Sequence, residues 1–268
     1  MLRAMTKITK PYTLYIVIGF VLLALSPAGA QQTINPGKKM KVEIWSDVMC
    51  PFCYIGKRRF ESALQQFENK NDVEVVWKSF QLQPDMVTDP SQNTIEHLAQ
   101  SKGWTMEHAR EMTSYVVNMA KEVGLNYDFD RAVVANSFDA HRLVQFAKTK
   151  GKGDAMEEQL FKAYFTEGKN TADHATLTAL AVAIGLNKTE VKQVLSTDAF
   201  SNEVKEDIYQ SRQIGVTGVP FFLFNDKYAV SGAQASETFL GALKQSYSEI
   251  PQTEKTDGAV CTPDGKCD

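Results

Sequence analysis

"SDVMCPFCYIG", Ser46 to Gly56, holds two of the four cysteines in the chain, Cys50 and Cys53, with two residues between them. The preceding run, "KVEIWSD" (Lys41 to Asp47), alternates apolar and polar at Val42, Glu43 and Ile44, which is a strand pattern. Beyond the cysteines, Phe60, Leu64 and Phe67 recur at i, i+4 and i+7, the spacing of one helix face, and the pattern ends near Asn69–Asp72. "VEVVWKSF" (Val73 to Phe80) is β-branched and aromatic and reads as a second strand. The chain therefore opens strand, helix, strand, with the cysteine pair at the first strand-to-helix turn.

Further out the text changes. From Gln83 to about Thr197, amphipathic helices follow one another with no strand pattern between them. Met112, Tyr115, Val116 and Met119 form one expected inward stripe; Ala140, Leu143, Val144 and Ala147 form another; Leu177, Leu180, Ala181 and Ile184 form a third. A helix over Ala199 to Gln213 precedes "IGVTGVPFFLFNDKYAVSG" (Ile214 to Gly232), where two apolar runs flank Asn225–Asp226, a hairpin signal. A last helix over Glu237 to Tyr247 turns Phe239, Leu240 and Leu243 inward. The simplest assembly is a mixed sheet flanked by helices and interrupted by an inserted all-helical domain. Its parts are residues 40–83 with 198–249 for the sheet and 84–197 for the insertion.

The ends read differently. Arg3, Lys7 and Lys10, the apolar run Tyr12 to Leu25, and "SPAGA" stand in the order of a secretory signal peptide over residues 1–30. The apolar run is shorter than the ~20 residues a spanning helix needs. Residues 31–39 form a polar linker with Pro36–Gly37, and residues 250–268 a polar tail carrying Cys261 and Cys267. Export to a periplasmic or extracellular space would permit disulfides. The net charge of −3 offers no nucleic-acid footprint.

Three chemistries suit Cys50 and Cys53: redox exchange, metal binding or an inert staple. At a helix N-terminus, unsatisfied N–H groups and the helix dipole favour negative charge, so a thiol there ionises more easily, and the thiolate is the nucleophile. The second sulfur follows one turn later, in reach of a mixed disulfide at the first. Cys50 is thus the expected exposed attacking thiol and Cys53 the shielded resolving one. Pro51 sits where a first-turn proline is tolerated. Four cysteines could make a structural zinc site, but the pairs are far apart in sequence and one lies on a tail, so neither metal nor other cofactor is expected.

"SDVMCPFCYIGKRRFE" together with "GVTGVPFFLFNDKYAVSGAQ" resembles the thioredoxin-fold oxidoreductases of the DsbA type, and among them the FrnE-like branch, over nearly the whole chain after residue 30. "SFDAHRLVQFA" (Ser137 to Ala147) within the insertion shares the resemblance. It implies a thioredoxin-like α/β fold, and an enzyme exchanging disulfides with protein or peptide thiols and reset by a redox partner. It also implies a cis bond at Val219–Pro220 facing the cysteines, with Val219 offering backbone to an extended substrate and Thr217 close by. DsbA has Pro-His between its cysteines; Phe52 replaces that histidine here, so a less oxidising potential is expected. Related folds, the kappa-class glutathione transferases and hydroxychromene carboxylate isomerases, act through glutathione with a serine near the Cys50 position. A non-catalytic binding module with structural cysteines is a third reading.

Around the motif, Asp47 either ends the strand at the surface or relays protons to Cys53, the first being the plainer expectation. Glu43 points inward or outward with equal claim. Lys57 reads with Arg58 and Arg59 as a solvated cluster, and His141 as a packed histidine that could border the site. Pro263–Asp264–Gly265 would bring Cys261 and Cys267 into a local disulfide, either a passive clip or a partner in exchange.

Overall fold

The computed structural model describes residues 6–7 and 39–250. The expected cleavage site, the linker up to Lys38 and the cysteine pair of the tail lie outside the described residues. In chain order the elements are β1 (Thr6–Lys7), β2 (Met40–Ser46), α1 (Pro51–Gln66), a 3-10 turn (Lys70–Asp72) and β3 (Val73–Ser79). Then come β4 (Asp89–Asn93), α2 (Thr94–Lys102), α3 (Met106–Glu122), β5 (Val133–Val134), α4 (Phe138–Thr149) and α5 (Gly153–Phe165). The chain continues with α6 (His174–Ala183), α7 (Lys188–Ser196), α8 (Ser201–Gln213), β6 (Phe221–Phe224), β7 (Tyr228–Ser231) and α9 (Ser236–Ser248).

The main sheet has the order β1-β7-β6-β2-β3. β2 runs parallel to β3, from Met40 opposite Val73 to Ser46 opposite Ser79, and antiparallel to β6, from Val42 opposite Phe224 to Trp45 opposite Phe221. Asn225 and Asp226 both take positive φ, 48° and 57°, and the Lys227 N–H donates to the Phe224 carbonyl at 3.0 Å, closing the turn between Phe224 and its partner Tyr228. The short β1 pairs with the outer edge of β7. Val42 and Ile44 of β2 face α1 and α9. There Phe60, Phe222 and Phe239 pack ring to ring, with centroids 4.5 Å apart for Phe222–Phe239 and 5.5 Å for Phe60–Phe222. On the opposite face Trp45 and Leu223 pack with Phe221 and Ile214, and the Trp45 indole donates to the Asp207 carbonyl of α8 at 2.9 Å.

The segment between β3 and α8 departs from its expected form in two places. It carries a two-stranded ladder, β4 with β5, which anchors the start of α2. On α3 the buried face is Ala109, Thr113, Val116 and Ala120, while Met112 and Tyr115 are exposed. The small residues turn inward because α3 lies close against α2 and α1, and the large ones are left to solvent. The other two stripes are buried, apart from the half-buried Ile184.

Candidate active site

Cys50 caps α1 in an extended conformation and Pro51 is the first helical residue. This is the position where a missing N–H costs nothing. The Cys50 N–H donates to the Asp47 carbonyl at 2.9 Å and the Cys53 N–H to the Cys50 carbonyl at 3.0 Å, closing a tight turn around the pair. Both cysteines are free thiols. The Cys50 thiol donates to the Val219 carbonyl at 3.5 Å, within the sulfur range. The Val219–Pro220 peptide bond is cis. Pro220 rests on α1 at Gly56: a Cβ there would lie 2.9 Å from Pro220 Cγ, so only glycine permits this approach.

Exposure does not divide the two sulfurs as expected. Cys50 is 3 % exposed and Cys53 1 %, because Tyr54, Val219, Met49 and the aromatic residues behind α1 close over both. Cys53 is marked by the hold on its proton. Burial first, and then the neighbouring Cys50 sulfur, push the Cys53 thiol well above the ordinary range; the Asp47 backbone N–H and the Ser46 hydroxyl pull the other way and are outweighed. Phe52 is exposed two residues after Cys50, and Leu82, whose N–H reaches the Asp47 carboxylate, is exposed on the loop after β3. Thr217 is exposed two residues before Val219.

Asp47 is fully buried, which overturns its reading as a surface strand end. Its carboxylate accepts the Leu82 N–H at 2.7 Å and the Met49 N–H at 3.4 Å, and it faces His141 Nε2 at 3.4 Å. Burial alone would lower the His141 pKa, but Asp47, Glu157 and the Phe80 carbonyl outweigh it and hold the imidazole above its ordinary 6.5. A raised folded pKa means that the stabilisation is complete below 6.5 and is lost as pH rises through the folded value. His141→Gln is therefore expected to lower unfolding free energy most in acid. Urea unfolding from about pH 5 to about pH 9 should show the gap to the parent chain narrowing with pH. A gap that widens would contradict this.

Lys57 is also misplaced by the sequence reading. It is 2 % exposed, and pairs with Asp154 and Glu158 of α5 at 3.2 Å each and with Glu61. Arg58 pairs with Glu158, and the Tyr54 hydroxyl donates to Glu158 at 2.6 Å. Burial works against charge on Glu158, but Arg58, Tyr54 and Lys57 outweigh it and hold the carboxyl below the ordinary range. Glu43 is buried, bridged by Lys41 at 3.2 Å and Lys78 at 4.0 Å.

Sequence reasoning missed Tyr127 altogether. Its hydroxyl donates to the Pro51 carbonyl at 2.7 Å, and its ring stacks on Phe165 at 4.7 Å, so a loop of the inserted segment grips the first turn of α1. Nothing in "NYDFD" marks it as a site residue. Glu157, also missed, is buried on α5, and burial raises its carboxyl above the ordinary range against the opposing pull of His141. Among the described residues no group of three or more His, Cys, Asp or Glu side chains is arranged to hold a metal ion.

Comparison with known proteins bears on this geometry. Residues 41–244 match the DSBA-like thioredoxin domain. The chain is 30 % identical over 210 residues to the uncharacterized protein YwbO of Bacillus subtilis (strain 168), covering 75 % of this chain and 94 % of that one. It is similar to the crystal structure of a probable DsbA oxidoreductase from Streptomyces coelicolor, with 39 % identity and a TM-score of 0.75, over 85 % of this chain and 98 % of that one. The cytosolic disulfide reductase DsbM from Pseudomonas aeruginosa shares the fold at 15 % identity, with a TM-score of 0.57, over 78 % and 98 % of the two chains.

Proposed function

The chain belongs to the DSBA-like thioredoxin domain family, and on that premise we propose that it exchanges disulfides with protein thiols through Cys50 and Cys53. The supporting observation is the pair of thiols in the first turn of α1, with Cys53 holding its proton and the Cys50 sulfur lying 3.5 Å from the Val219 carbonyl. In the reducing direction the Cys50 thiolate attacks a substrate sulfur, the substrate S–S bond breaks, and one substrate thiolate leaves. Cys53 then loses its proton and attacks Cys50 Sγ. The second substrate thiolate leaves, a Cys50–Cys53 disulfide forms, and two electrons have passed to the substrate. In the oxidising direction the same steps run in reverse. Val219 and Pro220 form the wall against which an extended substrate segment lies, and Phe52 and Leu82 give it an apolar rim. Residues 1–30 carry the pattern of an export signal, so the place of action is the periplasm or beyond, where a separate redox partner resets the pair.

The test equilibrates a Cys261→Ser/Cys267→Ser chain in graded thiol buffers, traps free thiols with an alkylating agent and weighs the products. The expected result is a two-thiol transition at Cys50 and Cys53. A potential near the DsbA value of about −120 mV marks a disulfide donor, and one near the thioredoxin value of about −270 mV a reductase or isomerase. If no Cys50–Cys53 disulfide forms at any poise, the reading is wrong. Glutathione conjugation that survives Cys50→Ser would instead favour the transferase-like reading.

A further inference from the structure

Helices α6 and α7 are joined by a short connection through Gly185, which takes a φ of 79°, so the two run back along each other. Leu177, Leu180 and Ala181 of α6 and Val191, Val194 and Leu195 of α7 turn into the main core. Between the other faces of the pair lies a groove of about 700 Å³. One wall is small and apolar, formed by the exposed Ala175, Ala179 and Val182 of α6. The opposite wall carries Lys188 and Lys192, one turn apart on α7. We propose that this groove binds a medium-chain alkyl carboxylate, a fatty acid, with its head between Lys188 and Lys192 and its chain along Ala179, Val182 and Ala175. The site draws nothing from the cysteines and stands independently of the disulfide-exchange reading.

The charge calls for an anion. Neighbouring cations have carboxylate partners: Lys150 pairs with Glu190, Lys162 and Lys169 with Glu167, and Arg142 with Asp139. Lys188 and Lys192 have none among the described residues. The acids on the bordering elements are taken. Asp139 holds Arg142 and His174, Asp173 accepts the Thr176 N–H at 2.7 Å, and Glu190 holds Lys150. Folding of α7 does not account for the lysines either. Lys188 is the first residue of the helix, where a positive charge opposes the helix dipole.

The remaining surface calls for an apolar chain. A surface helix ordinarily turns polar residues outward, and α6 turns alanine and valine into the groove. Beneath them Leu195 is buried, and the Thr178 hydroxyl donates to the His174 carbonyl at 2.7 Å. The floor therefore leaves no donor in need of a partner, and an alkyl chain can displace water from it without breaking a hydrogen bond. Size favours a small molecule over a protein. Small-molecule sites span roughly 300–1,000 Å³ and are mostly apolar with a few placed polar groups. A ten-residue helix is only about 15 Å long, a short wall for a stable protein interface.

The test is isothermal titration of the full chain with sodium dodecanoate, kept below its micelle concentration. The expected result is saturable binding of one molecule per chain. Lys188→Gln/Lys192→Gln is expected to weaken it about 10-fold, and octanoate should bind the parent chain about 10-fold more weakly because fewer methylenes are buried. Ala179→Phe fills the groove and should abolish binding, and dodecyltrimethylammonium, with the same chain and the opposite charge, should not bind. The proposal is overturned by a parent chain that does not bind dodecanoate, by unchanged affinity in the lysine double variant, or by equal affinity for dodecyltrimethylammonium. Binding that persists in a folded Ala179→Phe chain places the site elsewhere and overturns it as well. If circular dichroism shows that Ala179→Phe does not fold, the lysine double variant decides, since both of its positions are exposed. A parent chain that ignores dodecanoate but sediments as a dimer, and as a monomer after Ala179→Phe, would give the groove to a second copy and overturn the proposal.

Discussion

Cys53→Ala is expected to convert a passing intermediate into a stable product. With no second sulfur in the helix, a substrate attacked by Cys50 stays joined to it, and non-reducing electrophoresis should show the adduct accumulate and disappear on adding a small thiol. Cys50→Ala should show no adduct, and turnover of a peptide disulfide should fall to the uncatalysed background. The asymmetry follows from the proton on Cys53, which burial and the Cys50 sulfur hold in place, so that the sulfur at the cap of α1 is the one that attacks. Adducts forming equally well through Cys53 in the Cys50→Ala chain would reverse the assignment of roles.

The largest expected stability effect lies away from the cysteines. The buried Asp207 carboxylate of α8 accepts the Ser79 N–H at 2.9 Å and the Gln145 amide at 2.5 Å, and it pairs with Lys78. Asp207→Ala strands the Ser79 N–H, leaves the Gln145 amide with Ser79 Oγ alone, and removes the nearest partner of the Lys78 charge. Breaking a buried pair from one side costs about 3–5 kcal/mol, so urea unfolding should show a loss of that order. Asp207→Asn keeps an acceptor for the Ser79 N–H and should lose less. A loss under about 1 kcal/mol for the alanine variant would mean that Lys78 finds sufficient support from Glu43 and from the Trp45 ring 5.7 Å away.

The alternation around Glu43, the spacing of Phe60, Leu64 and Phe67, and the Asn225–Asp226 turn are local signals. Each is satisfied within a few residues, so the strand-helix-strand opening and the closing hairpin were legible. The ladder of β4 and β5 was not: "DPSQN" has the composition of a loop, and its partner is only two residues long. Nor was the inward face of α3, where size rather than hydrophobicity decided which residues met the neighbouring helices. The buried charges were hidden for a different reason. A lone Asp, Lys or Glu belongs at the surface by default. What reverses the default for Asp47 and Lys57 is a partner about a hundred residues away, His141 for one and Asp154 for the other, that only the fold supplies. The cysteine motif was visible because its chemistry sits within four residues; the partners of the buried ions around it come from α4 and α5.

The fastening of α1 to α5 has a consequence for what can enter. Lys57, Arg58 and Tyr54 reach across to Asp154 and Glu158, the Trp77 indole holds Asp154 at 2.9 Å, and Tyr127 grips Pro51. A cover joined by charge on one side and by a hydroxyl at the hinge line does not swing like a door, because any swing would strip the buried Lys57 ammonium of its carboxylate partners. With the cover immobile, accommodation falls to the guest. On the disulfide-exchange proposal, a substrate chain must bend to meet a sulfur that is only 3 % exposed beside Val219. The expected guest is then a loosely folded polypeptide rather than a rigid protein surface.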